Sequence, residues 1–346
     1  MSGGFYGFWQ HDNQLFAINF NDLSAPNLLP DREIVNGGLE EVWFEDKFKP
    51  TSWLTVSGGV RQSHFSGTIT ENATSPRAGI SIQIPKLNWI FHGFYGHFYQ
   101  APPLLTFSGP ALENAASGQG YSFGSLFGER DEEYQFGVTI PYKGWSFDTD
   151  TFRTRANNFF DHNNLGESNV FIPITLTEAL IRGWEVTLRS PRLWRRTQLH
   201  LAYSNQIAES RGNITGGLIP TENDYSNDYG QLDHDQRNTL NVGAQVTLPW
   251  RSFVSGNVYY GSGFSNGNGP AVTGVAPCCS SLDYLPQHTT FDLSLGKDFG
   301  ESFSMSVSGL NVTNRRVMLD DSLTFGGFHF NNPREIFVEL RYKFHY

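Results

Sequence analysis

The C-terminal stretch EIFVELRYKFHY, residues 335–346, alternates apolar and polar side chains up to its last residue. One face of an extended strand would carry Ile336, Val338, Leu340, Tyr342, Phe344 and Tyr346. The opposite face would carry Glu335, Glu339, Arg341, Lys343 and His345, and only Phe337 breaks the alternation. A period of two predicts a β-strand with one apolar and one polar face. Because the apolar face reaches the final residue, we expect its apolar surroundings to extend as far as the chain does.

The composition of the 346-residue chain argues against membrane-spanning helices. Only 38% of the residues are hydrophobic, 15% are aromatic, and the mean hydropathy is −0.37. No stretch approaches the ~18–20 consecutive apolar residues of a transmembrane helix. A search for long apolar stretches does not detect the strands of a membrane barrel, because lipid-facing apolar residues alternate with lumen-facing polar ones and their hydropathies average out in any window. The net charge of −10 argues against a nucleic-acid partner.

Alternating segments recur along the whole chain, and helical periodicity is convincing nowhere. We therefore predict an all-β protein with about fourteen strands, a number that lies within the range of outer-membrane barrels. The predicted spans are 4–20, 36–48, 52–66, 76–85, 88–100, 130–141, 144–160, 172–190, 194–208, 236–248, 251–264, 288–299, 302–316 and 334–346. A change of phase near Gly309 predicts a β-bulge there.

Short and long connections alternate between these strands. The short ones lie at 49–52, 85–88, 141–145, 190–194, 248–252 and 298–302, and the long polar ones at 21–35, 67–75, 101–129, 161–171, 209–235, 265–287 and 317–333. In an outer-membrane barrel the periplasmic turns are short and the extracellular loops are long. A soluble sandwich or propeller has no reason to keep this alternation. We predict an antiparallel up-and-down transmembrane β-barrel whose last strand ends at the periplasmic rim.

Tryptophans accompany the short turns. Trp53, Trp89, Trp145, Trp194 and Trp250 all lie at or beside one of them. Amphipathic aromatic rings favour the level of the lipid headgroups. We expect these five residues to form a girdle at the membrane interface.

Five segments carry a resemblance to a known family. They are YQAPPLLTF (99–107), LIRGWEVTLRSP (180–191), LDHDQRNTLNVGAQVTLP (232–249), GLNVTNRRV (309–317) and NNPREIFVELRYKF (331–344). In this order they resemble motifs in the C-terminal β-barrel of TonB-dependent receptors of the bacterial outer membrane, with Gln100 in place of the family's usual arginine. Before residue 99 the support comes mainly from the strand pattern.

The resemblance implies that residues 1–346 are one TonB-dependent receptor-like β-barrel domain of an outer-membrane transporter. Such receptors carry a plug domain, a TonB box and a barrel of about 22 strands. This sequence contains neither of the first two and no visible signal peptide. We therefore expect the C-terminal part of a larger receptor for a scarce large nutrient, namely an iron chelate, a cobalamin-like compound or a glycan.

The resemblance also implies partners. The extracellular loops would bind a small-molecule or glycan ligand, and the TonB energising complex would act only through a plug domain that this sequence lacks. Outer-membrane lipid would surround the barrel. Tyr342, Phe344 and Tyr346 would form the terminal aromatic signal that the barrel-assembly machinery reads.

Further candidate residues follow from the predicted loops and faces. Gly-rich loops with interspersed aromatic residues suit ligand contact, and the candidates are Tyr121, Phe123, Tyr225, Tyr229, Phe264 and Tyr284. If the alternation is phased as predicted, the lumen wall carries Glu185, Arg189, Glu339, Arg341 and Lys343. We expect such wall charges to form ion pairs with each other.

No motif points to catalysis, a cofactor or a metal. His and Asp lie close together in FFDHNN (159–164) and LDHDQRN (232–238), but no nucleophile elbow or EF-hand spacing accompanies them. We interpret these residues, and the charged segment GERDEEY (128–134), as solvated loop and rim groups. Cys278 and Cys279 are adjacent loop cysteines without metal-site spacing. Two alternatives remain open for the whole chain: a passive porin-like channel and a soluble all-β glycan-binding protein.

Overall fold

The computed structural model describes residues 1–16, 31–104, 121–164, 171–221, 227–265, 284–320 and 328–344. Its strands are β1 (Ser2–Phe16), β2 (Asp31–Phe48), β3 (Leu54–Ser66), β4 (Thr70–Ile84), β5 (Trp89–Gln100), β6 (Tyr121–Gly124), β7 (Glu129–Tyr142), β8 (Trp145–Asn164), β9 (Phe171–Arg189), β10 (Thr197–Pro220), β11 (Gly230–Gln231), β12 (Asn238–Leu248), β13 (Ser252–Gly261), β14 (His288–Phe299), β15 (Phe303–Leu310), β16 (Met318–Asp320), β17 (His329–Phe330) and β18 (Glu335–Tyr342). Across these residues no helix is long and apolar enough to cross a membrane.

The long strands form one antiparallel sheet in the order β1-β2-β3-β4-β5-β7-β8-β9-β10-β12-β13-β14-β15-β18. The predicted all-β fold is confirmed, and each predicted strand corresponds to one strand on this path. The short strands β6 and β11 pair with β10 away from the path. Within the described residues β1 and β18 are the two ends of the path, so this sheet is not closed.

The strand registers separate an apolar face from a polar face. On β13 and β14, Val254 lies opposite Leu295 and Val258 opposite Phe291, whereas Ser255 lies opposite Ser294 on the other side. We call these two sides the apolar face and the polar face. The apolar face is open: Leu293 is 52% exposed and Leu295 is 56% exposed. On the polar face, side chains bond to each other instead, as Ser294 Oγ does to Ser308 Oγ at 2.8 Å.

Buried apolar clusters lie toward the long-loop end of the strands. One contains Val35, Phe65 and Leu104, and another contains Ala156, Ala179 and Leu232. Packing of this kind is what a water-exposed part of a protein requires, because apolar surface is driven out of water. The middle of the sheet has one exposed apolar face instead.

The short turns take backbone conformations that join adjacent strands tightly. Tyr142 of β7 pairs with Trp145 of β8, which leaves a two-residue link. Both link residues, Lys143 and Gly144, have positive φ angles of 48° and 83°. A type I′ turn requires this conformation, and its twist matches that of the flanking strands.

Several predicted long connections are shorter than expected, including 161–171, where β8 runs to Asn164 and β9 begins at Phe171. Ser66 pairs with Thr70, so β3 and β4 are joined by residues 67–69 alone and the predicted polar loop 67–75 is wrong. β10 continues to Pro220 into the predicted loop 209–235. Polar side chains in these stretches led to the loop prediction, although strands that extend into water carry polar residues on both faces.

The predicted bulge at Gly309 is also wrong. Gly309 pairs with Leu293 on one side and Ile336 on the other in unbroken register. The strand ends one residue later, because Asn311 takes a left-handed φ of 47°. Its side chain closes the turn: Oδ1 accepts from Arg315 N at 2.8 Å and Nδ2 donates to the Arg315 carbonyl at 2.9 Å.

We predict that Gly137→Ala destabilises the polar face. His92 Nε2 lies 2.5 Å from Asp150 Oδ1, and a Cβ at Gly137 would collide with both side chains. Overpacking of this kind costs about 1–3 kcal/mol. Urea unfolding followed by tryptophan fluorescence measures the effect. Gly58→Ala is the control, because its Cβ would have 4.0 Å of space; equal effects of the two variants would contradict the prediction.

Candidate functional site

The apolar face ends at a row of aromatic side chains toward the long loops. Tyr95 packs on Tyr134 with ring centroids 4.8 Å apart, and Trp184 packs on Tyr203 at 5.1 Å. Charged side chains begin directly beyond this row, and the Glu132 carboxylate accepts hydrogen bonds from both Tyr95 and Tyr134. Aromatic rings with their polar ends turned to charged groups are typical of a boundary between lipid and water. The groups described next lie beyond this aromatic row.

A buried carboxylate, Glu178 on β9, joins three elements. It is 4% exposed, and its oxygens accept hydrogen bonds from Arg155 of β8, Arg211 of β10 and the hydroxyl of Tyr229. The Arg211 guanidinium also lies 4.6 Å from the centre of the Tyr229 ring. Burial by itself would raise the pKa of Glu178, but the hydrogen bonds from Arg155, Tyr229 and Arg211 outweigh it and lower the pKa to about 2.

The sequence contained a signal for this cluster that we did not use. Arg189 of β9 pairs with His200 of β10 next to a short link, and unbroken pairing from there brings Glu178 opposite Arg211. Opposite charges that face each other across neighbouring strands stabilise a sheet. Counting the hairpin register outward from the short link would have found the pair.

A second carboxylate, Glu71 of β4, accepts hydrogen bonds from Tyr99 of the segment YQAPPLLTF and from two residues of the segment GERDEEY. Its Oε2 accepts from Gly128 N at 2.6 Å and from the Tyr99 hydroxyl at 3.2 Å, and its Oε1 accepts from Arg130 at 3.0 Å. Burial raises the pKa of Tyr99, and the negative charge of Glu71 raises it further. The interpretation of this segment as a solvated rim is wrong for Gly128, which is buried, whereas the Arg130 side chain is 43% exposed.

Glu129 is the most unusual acid of this segment. It is 8% exposed, and its Oε2 accepts from the Phe160 backbone N–H at 2.7 Å. Burial raises the pKa of Glu129 to about 7, and the nearby Asp131 adds to the shift. A carboxyl that keeps its proton up to this pH makes local stability depend on pH.

We predict that this dependence is measurable. The folded protein binds a proton at Glu129 between about pH 4.5 and 7 that the unfolded chain has lost, so the free energy of unfolding falls as the pH rises through that window. Glu129→Gln removes the contribution and keeps a hydrogen-bond acceptor for Phe160. The stability of the variant relative to the parent should therefore rise between pH 5 and pH 8 in urea unfolding. The exposed Glu339→Gln is the control, and a pH-independent difference for Glu129→Gln would disprove this role.

Asp235 and Gln236 in the segment 232–238 are buried and hydrogen-bonded, which corrects their interpretation as solvated groups, whereas His234 is exposed. Asp235 is 2% exposed, and its Oδ1 accepts from Ala208 N of β10 at 3.0 Å. Gln236 Nε2 donates to the Tyr259 hydroxyl of β13 at 2.7 Å. These bonds attach the segment to both neighbouring strands. Local sequence could not predict them, because the partners are 23 or more residues away.

Two other polar residues of this segment belong to a group with metal-ligating chemistry. Asp233, His234 and Asp320 offer ligand atoms within 4.8 Å of one another. No metal site was expected because the sequence contains no metal-binding spacing motif, and Asp320 lies far along the chain from Asp233 and His234.

Comparison with known proteins shows which family has this architecture. The family model for the TonB dependent receptor-like β-barrel matches residues 2–314. The chain belongs to this family of TonB-dependent receptors. The expected resemblance is thereby confirmed, and the family is one of receptors rather than enzymes. No curated protein sequence matches the chain.

Solved structures of TonB-dependent receptors share the fold. The ferric yersiniabactin uptake receptor FyuA from Yersinia pestis is 12% identical with a TM-score of 0.68, over 99% of this chain and 51% of that one. The copper transporter OprC is 10% identical with a TM-score of 0.64, over 94% and 51%. A variant of the ferric enterobactin receptor PfeA from Pseudomonas aeruginosa is 13% identical with a TM-score of 0.63, over 90% and 45%. The chain spans about half the length of these structures.

Several predicted ligand contacts of this TonB-dependent receptor chain lie around the segment 229–237. Tyr229 bonds to Glu178, and the Tyr284 hydroxyl accepts from Gln231 at 2.6 Å and from Arg237 at 3.0 Å. Phe264 stacks on His288 with ring centroids 5.6 Å apart. Phe123 lies apart from them on β6, opposite Leu218 of β10. Tyr225 and the side chain of Tyr121 lie outside the described residues, and ligand contact stays a prediction for all six.

The predicted wall charges lie on two strands. Glu185 and Arg189 lie on the same face of β9, and Trp184 and Val186 lie on the opposite face. On β18, Arg341 pairs with Glu339 at 2.7 Å, with both side chains exposed. Lys343 follows the strand, and its backbone N–H donates to the Ser302 carbonyl at 2.7 Å. Their position in a lumen stays a prediction.

The tryptophans and terminal aromatic residues share the short-turn end of the sheet. Trp89 is the first residue of β5 and Trp145 is the first residue of β8. Trp53, Trp194 and Trp250 lie in the links that precede β3, β10 and β13, respectively. Trp194 and Trp250 are both 83% exposed. Tyr342 packs on Phe344 with ring centroids 4.9 Å apart. Tyr346, Cys278 and Cys279 lie outside the described residues.

Proposed function

We propose that this chain is the C-terminal barrel part of a bacterial outer-membrane receptor that imports a scarce large nutrient. The observation that carries the proposal is the exposed apolar face of the sheet, bounded by tryptophans at one end and by the aromatic row at the other. Lipid is the environment that favours such a face. A soluble glycan-binding protein would have to cover it with a second layer.

An iron chelate is the first candidate ligand, and a cobalamin-like compound or a glycan are the other two. Receptors for ferric yersiniabactin and ferric enterobactin share the fold, which supports this order without deciding it. The aromatic and charged side chains around segment 229–237 supply stacking and charge-assisted hydrogen bonds. Such groups suit a large ligand with rings and charged oxygens.

The proposed mechanism divides the work between this chain and the rest of the receptor. Extracellular loops capture the ligand, and a plug domain is rearranged through the TonB energising complex. The wall charges Glu185, Arg189, Glu339, Arg341 and Lys343 would face that plug. During assembly the barrel-assembly machinery would read Tyr342, Phe344 and Tyr346.

Uptake by whole cells tests this function. Host cells are grown under iron limitation, and accumulation of radiolabelled ferric chelates, cobalamin and glycans is compared with that of a strain lacking the gene. We expect one ligand class to require the gene and its uptake to stop when a protonophore collapses the proton gradient. Uptake that requires the gene but continues with the protonophore would support the passive channel instead. Equal uptake of every ligand class by both strains would overturn the proposal.

A further inference from the structure

Three side chains from two distant parts of the chain lie close together beyond the aromatic row. Asp233 and His234 lie between β11 and β12, and Asp320 ends β16. His234 Nδ1 is 3.6 Å from Asp233 Oδ1, and His234 Nε2 is 3.6 Å from Asp320 Oδ2. Asp320 is only 1% exposed, so its carboxylate has left bulk water. A buried carboxylate needs a cation or hydrogen bonds to offset its desolvation.

The separations suit shared coordination of an ion. A distance of 3.6 Å exceeds an ordinary hydrogen bond of roughly 2.7–3.2 Å. Two ligands that bind a tetrahedral Zn²⁺ at about 2.0–2.2 Å lie about 3.4 Å apart. The ligand atoms of the three residues all lie within 4.8 Å of one another. Side-chain movements that shift these atoms by about an ångström would therefore let them bind one ion.

A further histidine lies on a neighbouring strand, although it is not among the residues whose ligand atoms lie within 4.8 Å of one another. His329 on β17 is the cross-strand partner of Asp320 on β16. Imidazole and carboxylate together suit Zn²⁺, Ni²⁺ or Cu²⁺, whereas Mg²⁺ and Ca²⁺ prefer oxygen ligands alone.

We propose that Asp233, His234 and Asp320 bind one divalent transition-metal ion. The ion would fasten the β16–β17 hairpin to the segment before β12, and so hold two extracellular connections together. The site does not depend on which nutrient the receptor imports, and nothing in the proposed transport function requires it.

Zinc binding by the purified full chain in detergent tests the site. After dialysis against a chelator, isothermal titration with Zn²⁺ should show one saturable site per chain. His234→Ala and Asp320→Asn should each weaken binding at least about tenfold, since loss of even an outer partner of a metal ligand costs about 10–100-fold. His92→Ala is the matched control, because His92 also contacts a carboxylate, Asp150, but on the polar face between the membrane boundaries.

A second measurement needs no substitution. Co²⁺ added to the metal-free parent chain should give the visible absorption bands of a site with nitrogen ligands, and Zn²⁺ should displace it. Zn²⁺ should also protect His234 from diethylpyrocarbonate, as read by mass spectrometry, even if a variant fails to fold. Absence of saturable Zn²⁺ and Co²⁺ binding would overturn the proposal. So would parental affinity in His234→Ala or an equal loss in His92→Ala.

Discussion

Leu293→Arg is expected to lower the free energy of unfolding from a bilayer by about 2–4 kcal/mol. Leu293 lies on the apolar face of β14 and is 52% exposed, so an arginine there would face hydrocarbon if the apolar face contacts lipid. Charge on a lipid-facing strand position costs most near the middle of the bilayer. Urea titration of the full chain in lipid vesicles, followed by tryptophan fluorescence, measures the loss.

The neighbouring position supplies a matched control. Ser294 is adjacent in β14 but points to the opposite face, where its hydroxyl donates to Ser308. Ser294→Arg should therefore cost much less than Leu293→Arg, because a charge there faces water. Equal costs for the two variants would mean that the faces do not differ in environment.

Glu178→Ala is expected to destabilise the region beyond the aromatic row by about 2–3 kcal/mol. Removing one partner of a buried ion pair leaves the other charges unsatisfied, here Arg155 and Arg211. The two guanidiniums are 46% and 37% exposed, so water relieves part of the loss and the effect stays below that of a fully buried pair. Tyr229 would lose its acceptor at the same time.

Hydrogen exchange shows where the effect falls. Amides of β10 near Arg211 and of the segment after Tyr229 should exchange faster in Glu178→Ala, whereas those of β14 should be unchanged. Glu339→Ala is the control, since its pair with Arg341 is exposed and contributes less than about 1 kcal/mol. The role of Glu178 would be refuted if Glu178→Ala and Glu339→Ala behaved alike.

The strands could be predicted from sequence because their determinants are local. A period of two along 335–346 and turn residues such as Lys143 and Gly144 act within a few residues. The predicted alternation of short and long links then indicated the up-and-down order, although the link between β3 and β4 is only three residues long. The prediction erred where polar residues continue a strand into water, as in β10 up to Pro220.

The buried polar groups could be predicted only in part. Arg211 follows from the hairpin register, but Tyr229 reaches Glu178 across 51 positions through a loop. Asp320 is brought to His234 by packing of two separate connections. Such contacts depend on tertiary geometry, and a charged segment like GERDEEY looks solvated by composition although Glu129 is buried.

Spin-label accessibility along β14 tests whether the apolar face of the sheet contacts lipid. Single cysteines placed in turn at His288–Phe299 of the chain in lipid bilayers are labelled with a nitroxide, and relaxation by oxygen is compared with relaxation by a water-soluble nickel chelate. A period of two is expected, with relaxation by oxygen favoured at Phe291, Leu293 and Leu295 and relaxation by the nickel chelate favoured at Asp292 and Ser294. Equal accessibility of both faces to the nickel chelate, or protection of Leu293 from both reagents, would contradict contact between the apolar face and lipid.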